Sequence, residues 1–261
     1  MIYKFCSKTD SGRARENNED AVAYDEATGL AVLADGMGGY NAGEVASGMA
    51  TELIMTDMGR WMSEAGSRVN VRDIRRAMEI CVDNANRSIF NAAAGNSHYT
   101  GMGTTLVVGV FHDTRLIVGH IGDSRCYRLR AGDLSQITRD HSLLQEQIDA
   151  GLITPQQAAT SMNKNLVTRA LGVEDEAMLE LNEYPVEGDD LYLMCSDGLS
   201  DMVPDTGIAT ILKTSDTLAQ KADQLVALAN ANGGRDNITV LLVQVGVTSA
   251  KRGLIARWLG K

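Results

Sequence analysis

Three aspartates occupy the same kind of position in this sequence. Asp35 closes the apolar run L-A-V-L-A and precedes Gly36, Asp197 closes L-Y-L-M-C-S and precedes Gly198, and Asp236 stands immediately before N-I-T-V-L-L-V. Asp-Gly is a common turn pair, and either of the first two alone needs no other explanation. Together they suggest more, because a strand end holds a carboxylate rigidly while glycine lets a carbonyl or solvent approach closely. Asp123 in H-I-G-D-S-R and Asp20 in R-E-N-N-E-D extend the set. Carboxylates gathered at one end of a sheet core repel one another unless cations neutralise them. Oxygen donors, with no cysteine or histidine at metal-ligand spacing, select Mg²⁺ or Mn²⁺ over zinc. Arg15, five residues before Asp20, is either a solvated surface arginine or, beside a cation site, a guanidinium fork for a phosphate dianion.

The elements that must position these residues are legible in outline. Short strands at Ala21–Tyr24 and Leu30–Ala34 flank the hairpin loop D-E-A-T-G. After the glycines the apolar period changes: Val45, Met49 and Leu53 begin a helix running toward Trp61, and Ile74, Met78, Cys81, Val82, Ala85 and Ile89 mark a second from about Val71. The runs T-T-L-V-V-G-V-F, R-L-I-V-G-H-I-G-D, R-C-Y-R-L-R and L-S-Q-I-T, with turns at H-D-T and A-G-D, predict antiparallel sheet. The segment from His141 to about Asn165 is polar and helix-leaning, an excursion over the surface. Strands near Met178–Tyr184 and Asp190–Ser196 follow, then a helical region containing Leu218, Ala222, Leu225, Val226 and Ala229, and a last strand N-I-T-V-L-L-V-Q-V. No repeat or linker divides the chain, so residues 1–247 read as one domain of packed sheets with helices on their outer faces.

Composition narrows the classes of function. The chain has 261 residues, 44% of them hydrophobic, enough for a full core. A net charge of -10 argues against a nucleic-acid partner. Cys6, Cys81, Cys126 and Cys195 form no C-x-x-C pair and read as reduced thiols. No apolar run approaches the ~20 residues of a membrane helix, and the N-terminus lacks the apolar core of a signal peptide, so a cytoplasmic protein is expected. Residues 248–261 form a basic tail in which Leu254, Ile255, Trp258 and Leu259 recur at helical spacing.

R-E-N-N-E-D, L-A-D-G-M-G-G followed by A-G-E-V-A-S, G-T-T-L, I-G-D-S-R, T-R-D-H-S, T-R-A-L-G, S-D-G-L-S-D and G-G-R-D-N-I-T-V, in this order, resemble the bacterial branch of the metal-dependent Ser/Thr protein phosphatases, the type 2C family. The match runs from about Arg15 to Val245. The resemblance implies an α+β fold, a four-layer α-β-β-α sandwich of two antiparallel sheets flanked by helix pairs. It implies two Mn²⁺ or Mg²⁺ ions at one sheet edge, Asp35 bridging both, the Gly36 carbonyl joining the second, and Asp197 and Asp236 completing the first. Glu19 and Asp20 would hold metal-bound waters, Asp123 with Asp197 would take a weaker third ion, and Arg15 would bind the phosphate. Residues 141–165 would be the flap that biases substrate choice.

The implied reaction is hydrolysis of phosphoserine and phosphothreonine in proteins by a metal-bridging hydroxide attacking phosphorus in line, in a monomer that reverses a bacterial Ser/Thr kinase on its targets. Animal members carry histidine where this chain has Met37, and a thioether donates no proton. The leaving alkoxide would then take its proton from a metal-bound water or from His141, while His98, His112 and His120 read as surface or strand histidines. Two other readings remain open: the same metals acting on a small phosphoester or nucleotide, and a silent binding module, which usually lacks the ligands that this chain retains.

Overall fold

The computed structural model describes residues 1–39, 42–66, 69–159, 161 and 166–247. The basic tail at 248–261 and positions 160 and 162–165 of the expected flap lie outside them.

Two antiparallel sheets carry the fold. The first runs β1 (Ile2–Asp10), β11 (Ile238–Gly246), β10 (Leu191–Cys195), β7 (Arg125–Arg130) and β8 (Asp133–Gln136). The second runs β2 (Asp20–Asp25), β3 (Leu30–Met37), β5 (Leu106–His112), β6 (Arg115–Ile121) and β9 (Glu180–Pro185), with the two-residue β4 (Gly103–Thr104) added on β3.

Successive strand residues point to opposite faces, so a strand buried on both sides reads as a continuous apolar run. Leu30, Val32 and Ala34 of β3 face one core, whereas Ala31 and Leu33 face another. In the first sheet, Leu193 and Cys195 of β10 and Val240 and Leu242 of β11 share a third core, while Tyr192, Met194, Leu241 and Val243 meet the second sheet. Helices α1 (Ala42–Ala65) and α2 (Val71–Gly95) cover the second sheet through Ala46, Ile54, Met58, Ile74 and Met78. Helices α5 (Asp197–Ser200), α6 (Asp205–Leu212) and α7 (Leu218–Ala231) cover the first through Leu199, Ile208, Leu225 and Ala229. Three apolar seams between four layers give the expected α-β-β-α sandwich. Each fully buried Leu, Ile or Val contributes about 1.5–3 kcal/mol.

Three details differ from the sequence expectation. β1 carries only one buried residue, Phe5, and its polar remainder hides it from a hydrophobic-pattern reading. β9 begins at Glu180 rather than Met178. Asp35 does not end its strand: Gly36 and Met37 pair with Thr104 and Gly103, so β3 continues past it. In the segment after His141, α3 (Leu143–Asp149) and α4 (Pro155–Ala159) form the helical excursion.

Candidate metal centre

The two sheets bring their carboxylates to one edge. Asp20 opens β2 and stands opposite Asp35 on β3. Asp123 lies in the turn from β6 to β7, Asp197 opens α5 just beyond β10, and Asp236 precedes β11. Arg15, Glu19, Asp35, Gly36, Met37, Asp123, Asp197 and Asp236 all line one cleft of about 300 Å³. Asp20 lies behind it, its Oδ2 accepting a hydrogen bond from Ser196 Oγ at 2.8 Å.

Backbone contacts fix this arrangement before any ligand is considered. The Asp35 N–H donates to Thr105 Oγ1 (3.1 Å), and its carbonyl accepts from Thr104 Oγ1 (2.9 Å) and the Thr105 N–H (2.8 Å). The G-T-T-L motif therefore holds the aspartate's main chain in place. The Gly36 N–H donates to the Glu19 carbonyl at 3.0 Å. A Cβ on Gly36 would stand 2.1 Å from the Gly43 carbonyl oxygen, and one on Gly43 would stand 2.8 Å from the Glu19 carboxylate. The pair of glycines lets the start of α1 lie directly on β3 at the cleft. Gly198 likewise admits the Asn237 carbonyl, 2.0 Å from where a Cβ would be.

Asn237 is the organiser that sequence reasoning passed over. Its Oδ1 accepts the Glu19 N–H (2.7 Å), and its Nδ2 donates to the carbonyls of Asn17 (2.8 Å) and Ser11 (3.1 Å). It is buried and ties the loop bearing Arg15 and Glu19 to the residue beside Asp236. Its position in D-N-I-T-V, directly after a candidate ligand, was the available signal.

The electrostatics are those of a cluster short of positive charge. Burial, then the charges of Asp20, Asp197, Asp123 and Asp236, hold the Asp35 carboxyl well above the usual carboxylate range. Burial, followed by Asp123 and Asp236, does the same to Asp197. Burial pushes Asp20 up to about 6 despite hydrogen bonds from Thr239 and Ser196. Asp123 also rises to about 6, through burial and then the charge of Asp140. The local cation, Arg15, donates from Nη2 to Asp236 Oδ2 at 2.8 Å and is half-exposed. Asp20 Oδ1 is buried without a hydrogen-bond partner in the described structure. An orphaned carboxylate oxygen among mutually repelling carboxylates fits hard divalent cations, which take oxygen ligands and neutralise the cluster.

His141, considered above as a proton donor, is not among the residues lining this cleft. Its ring is buried, Nδ1 accepts the Gly122 N–H at 3.2 Å, and Nε2 faces Glu180 Oε2 at 3.2 Å. The Gly122 contact places the neutral ring's proton on Nε2, for Glu180. His120 stacks on it with centroids 4.6 Å apart and directs Nε2 to the Arg139 carbonyl. Burial, then the neighbouring His120, lowers the His141 pKa. The ligand-type atoms of His120, His141 and Glu180 lie within 4.8 Å of one another, but the tautomer set by Gly122 makes this a hydrogen-bonded post rather than a metal site. The post, together with the bidentate pair of Arg125 and Asp140, roots the segment after His141 beside the Asp123 turn.

The family model for protein phosphatase 2C matches residues 10–244. The serine/threonine phosphatase stp of Listeria monocytogenes is 38% identical over 248 residues, covering 94% of this chain and 97% of that protein. The Mycobacterium tuberculosis serine/threonine phosphatase PstP/Ppp has a crystal structure matching with a TM-score of 0.86 at 36% identity, over 95% of this chain and 100% of that one. A catalytic-domain structure of PstP in complex with two manganese ions matches with a TM-score of 0.83 at 36% identity, over 94% of this chain and 99% of that one.

Proposed function

The chain belongs to the protein phosphatase 2C family and is a bacterial-type Ser/Thr protein phosphatase, and from that premise we propose how its cleft works. Asp35, Gly36, Asp197 and Asp236 would hold two divalent cations, Mn²⁺ or Mg²⁺, and Asp123 with Asp197 would offer a weaker third position. Glu19 and Asp20 orient water around them. When bound, the cations supply Lewis acidity that makes hydroxide available near neutral pH and screens the phosphoryl oxygens.

The observation that carries this reading is the convergence of four aspartates from both sheets, with Glu19 and Arg15, on one cleft, and of Asp20 beside Asp35. Arg15 is paired with Asp236. Its guanidinium stands at the cleft edge, where it would bind a phosphate dianion and stabilise the charge on its equatorial oxygens. Thr105 and Asn237 keep Asp35 and the Arg15 loop in register, so little reorganisation is needed. Met37 donates no proton and His141 is committed to Glu180, so the leaving alkoxide takes its proton from solvent in the cleft.

In this reading the catalytic domain spans residues 1–247, acts as a monomer in the cytoplasm and reverses a Ser/Thr kinase on its protein targets. Among the described residues no helix is long and apolar enough to cross a membrane. Anomalous diffraction from crystals grown in millimolar Mn²⁺ tests the centre: peaks are expected between Asp35, Asp197 and Asp236. An ordered cleft with no peak there would overturn the proposal.

A further inference from the structure

A second groove, of about 380 Å³, adjoins the metal cleft, and Met37 and Val167 line both. Gly103 lies against two of its lining side chains, Val173 and Met37. The point where a Gly103 Cβ would stand is 2.8 Å from Val173 Cγ2 and 3.3 Å from Met37 Cε, so these two side chains close over the same spot. Val173 and Met178 leave 53% and 65% of their surface in water although both line the groove. Glu174 and Glu176 line it too, and neither carboxylate has a cationic partner among the described residues. Arg169 sets one positive charge against these two negative ones.

The groove wall is held from beneath. Asn86 of α2, fully buried, accepts the Gly172 N–H at 2.7 Å and donates to the carbonyls of Glu174 (3.0 Å) and Asp175 (3.1 Å). One amide thus satisfies three backbone groups and sets the loop that presents Val173, Glu174 and Glu176. A wall fixed in advance loses little entropy when something docks on it.

We propose that this groove receives the polypeptide flanking the phosphorylated residue and selects an apolar side chain together with a basic one. The apolar side chain packs on Val173 and Met178, and the basic one meets Glu174 and Glu176. The proposal rests on the reading of the neighbouring cleft as the phosphoryl site: a phosphoserine or phosphothreonine seated there carries its chain neighbours across Met37 into the groove. A small phosphoester reaches the cleft and leaves the groove empty.

The test compares phosphothreonine peptides with p-nitrophenyl phosphate on the Mn²⁺-loaded enzyme. Wild type is expected to prefer peptides with leucine and arginine flanks over those with serine and glutamate flanks. Val173→Asp and Met178→Asp should each lower kcat/KM for the preferred peptide about tenfold, through KM, and leave p-nitrophenyl phosphate turnover unchanged. The double variant Glu174→Lys with Glu176→Lys should invert the charge preference. Peptide and small-ester constants that fall together, or variants that keep the wild-type peptide preference, would overturn the groove while leaving the phosphatase reading intact. Wild-type turnover of neither substrate would remove that reading, and the groove with it.

Discussion

Asp20 stands directly opposite Asp35 across the β2–β3 ladder, and its charge helps hold the Asp35 carboxyl above the usual carboxylate range. Like charges placed opposite each other on a sheet destabilise it. In the proposed metal site a divalent cation would relieve that cost.

The stability of the metal-free protein should therefore fall as pH rises. Asp20 ionises near 3.8 in the unfolded chain and at about 6 in the folded one. The folded state holds the proton more tightly, so this contribution is complete below pH 4 and is lost as pH climbs through 6. The difference is on the order of 3 kcal/mol for Asp20 alone, and Asp35, Asp123 and Asp197 shift in the same direction. In chelator, the melting temperature should be lower at pH 8 than at pH 5.5, and Mn²⁺ should raise it most at pH 8. Melting that ignores both pH and Mn²⁺ would contradict the cluster's electrostatics.

Asp236→Ala should abolish turnover and leave the metal-free protein folded. The variant removes a proposed ligand and one source of repulsion on Asp197 and Asp35. It also breaks the Arg15 pair, but a half-exposed ion pair contributes only about 0–1 kcal/mol. Calorimetry in chelator should show a melting temperature equal to wild type or above it. A marked fall would mean that Asp236 serves the fold rather than the site.

Asn237→Ala should cost both stability and rate. It strips three hydrogen bonds and leaves the Glu19 N–H and two carbonyls without their partner, about 2–4 kcal/mol in sum. Because the loop carrying Arg15 loses its tether, kcat/KM should fall more than Mn²⁺ affinity does. Denaturant titration and steady-state kinetics on the same sample separate the two effects.

Gly36→Ala should be among the most damaging single-methyl additions in the chain. The new Cβ would collide with backbone at Gly43 and Glu19 rather than with a side chain that can turn away. Overpacking of this kind costs about 1–3 kcal/mol or more. Displacing α1 from β3 would also widen the cleft, so activity should drop even where the variant folds at low temperature.

His141→Gln should leave the acidic limb of the pH-rate profile where it is in wild type, because the ring is turned to Glu180 and Gly122 and not to the cleft. A displaced limb would return His141 to the chemistry.

What the sequence disclosed follows from what each residue must do locally. The carboxylates at Asp35, Asp197 and Asp236 were legible because apolar runs and glycines frame them, and the layers were legible because buried strands read as unbroken runs. β1 was not, since it lies at a sheet edge and buries little besides Phe5. Asn237 was not, since an asparagine before a strand looks the same whether its amide faces water or closes three hydrogen bonds. The partners of His141 were not legible, because a histidine in a polar stretch gives no sign of which ring nitrogen the backbone will claim.

The pairing of β1 with β11, from Ile2 opposite Gly246 to Asp10 opposite Ile238, has a consequence for how the enzyme comes into being. Asn237 clasps the loop that carries Arg15 and Glu19 across separations of 218 and 220 positions along the chain, so the cleft exists only once both segments have been made. Contacts this distant along the chain form late and slowly. A nascent chain halted before β11 would present Asp35 and Asp197 with nothing to complete them. On the proposed ligand set, competence to remove phosphate would arrive only with β11, and a chain halted before it would be catalytically silent.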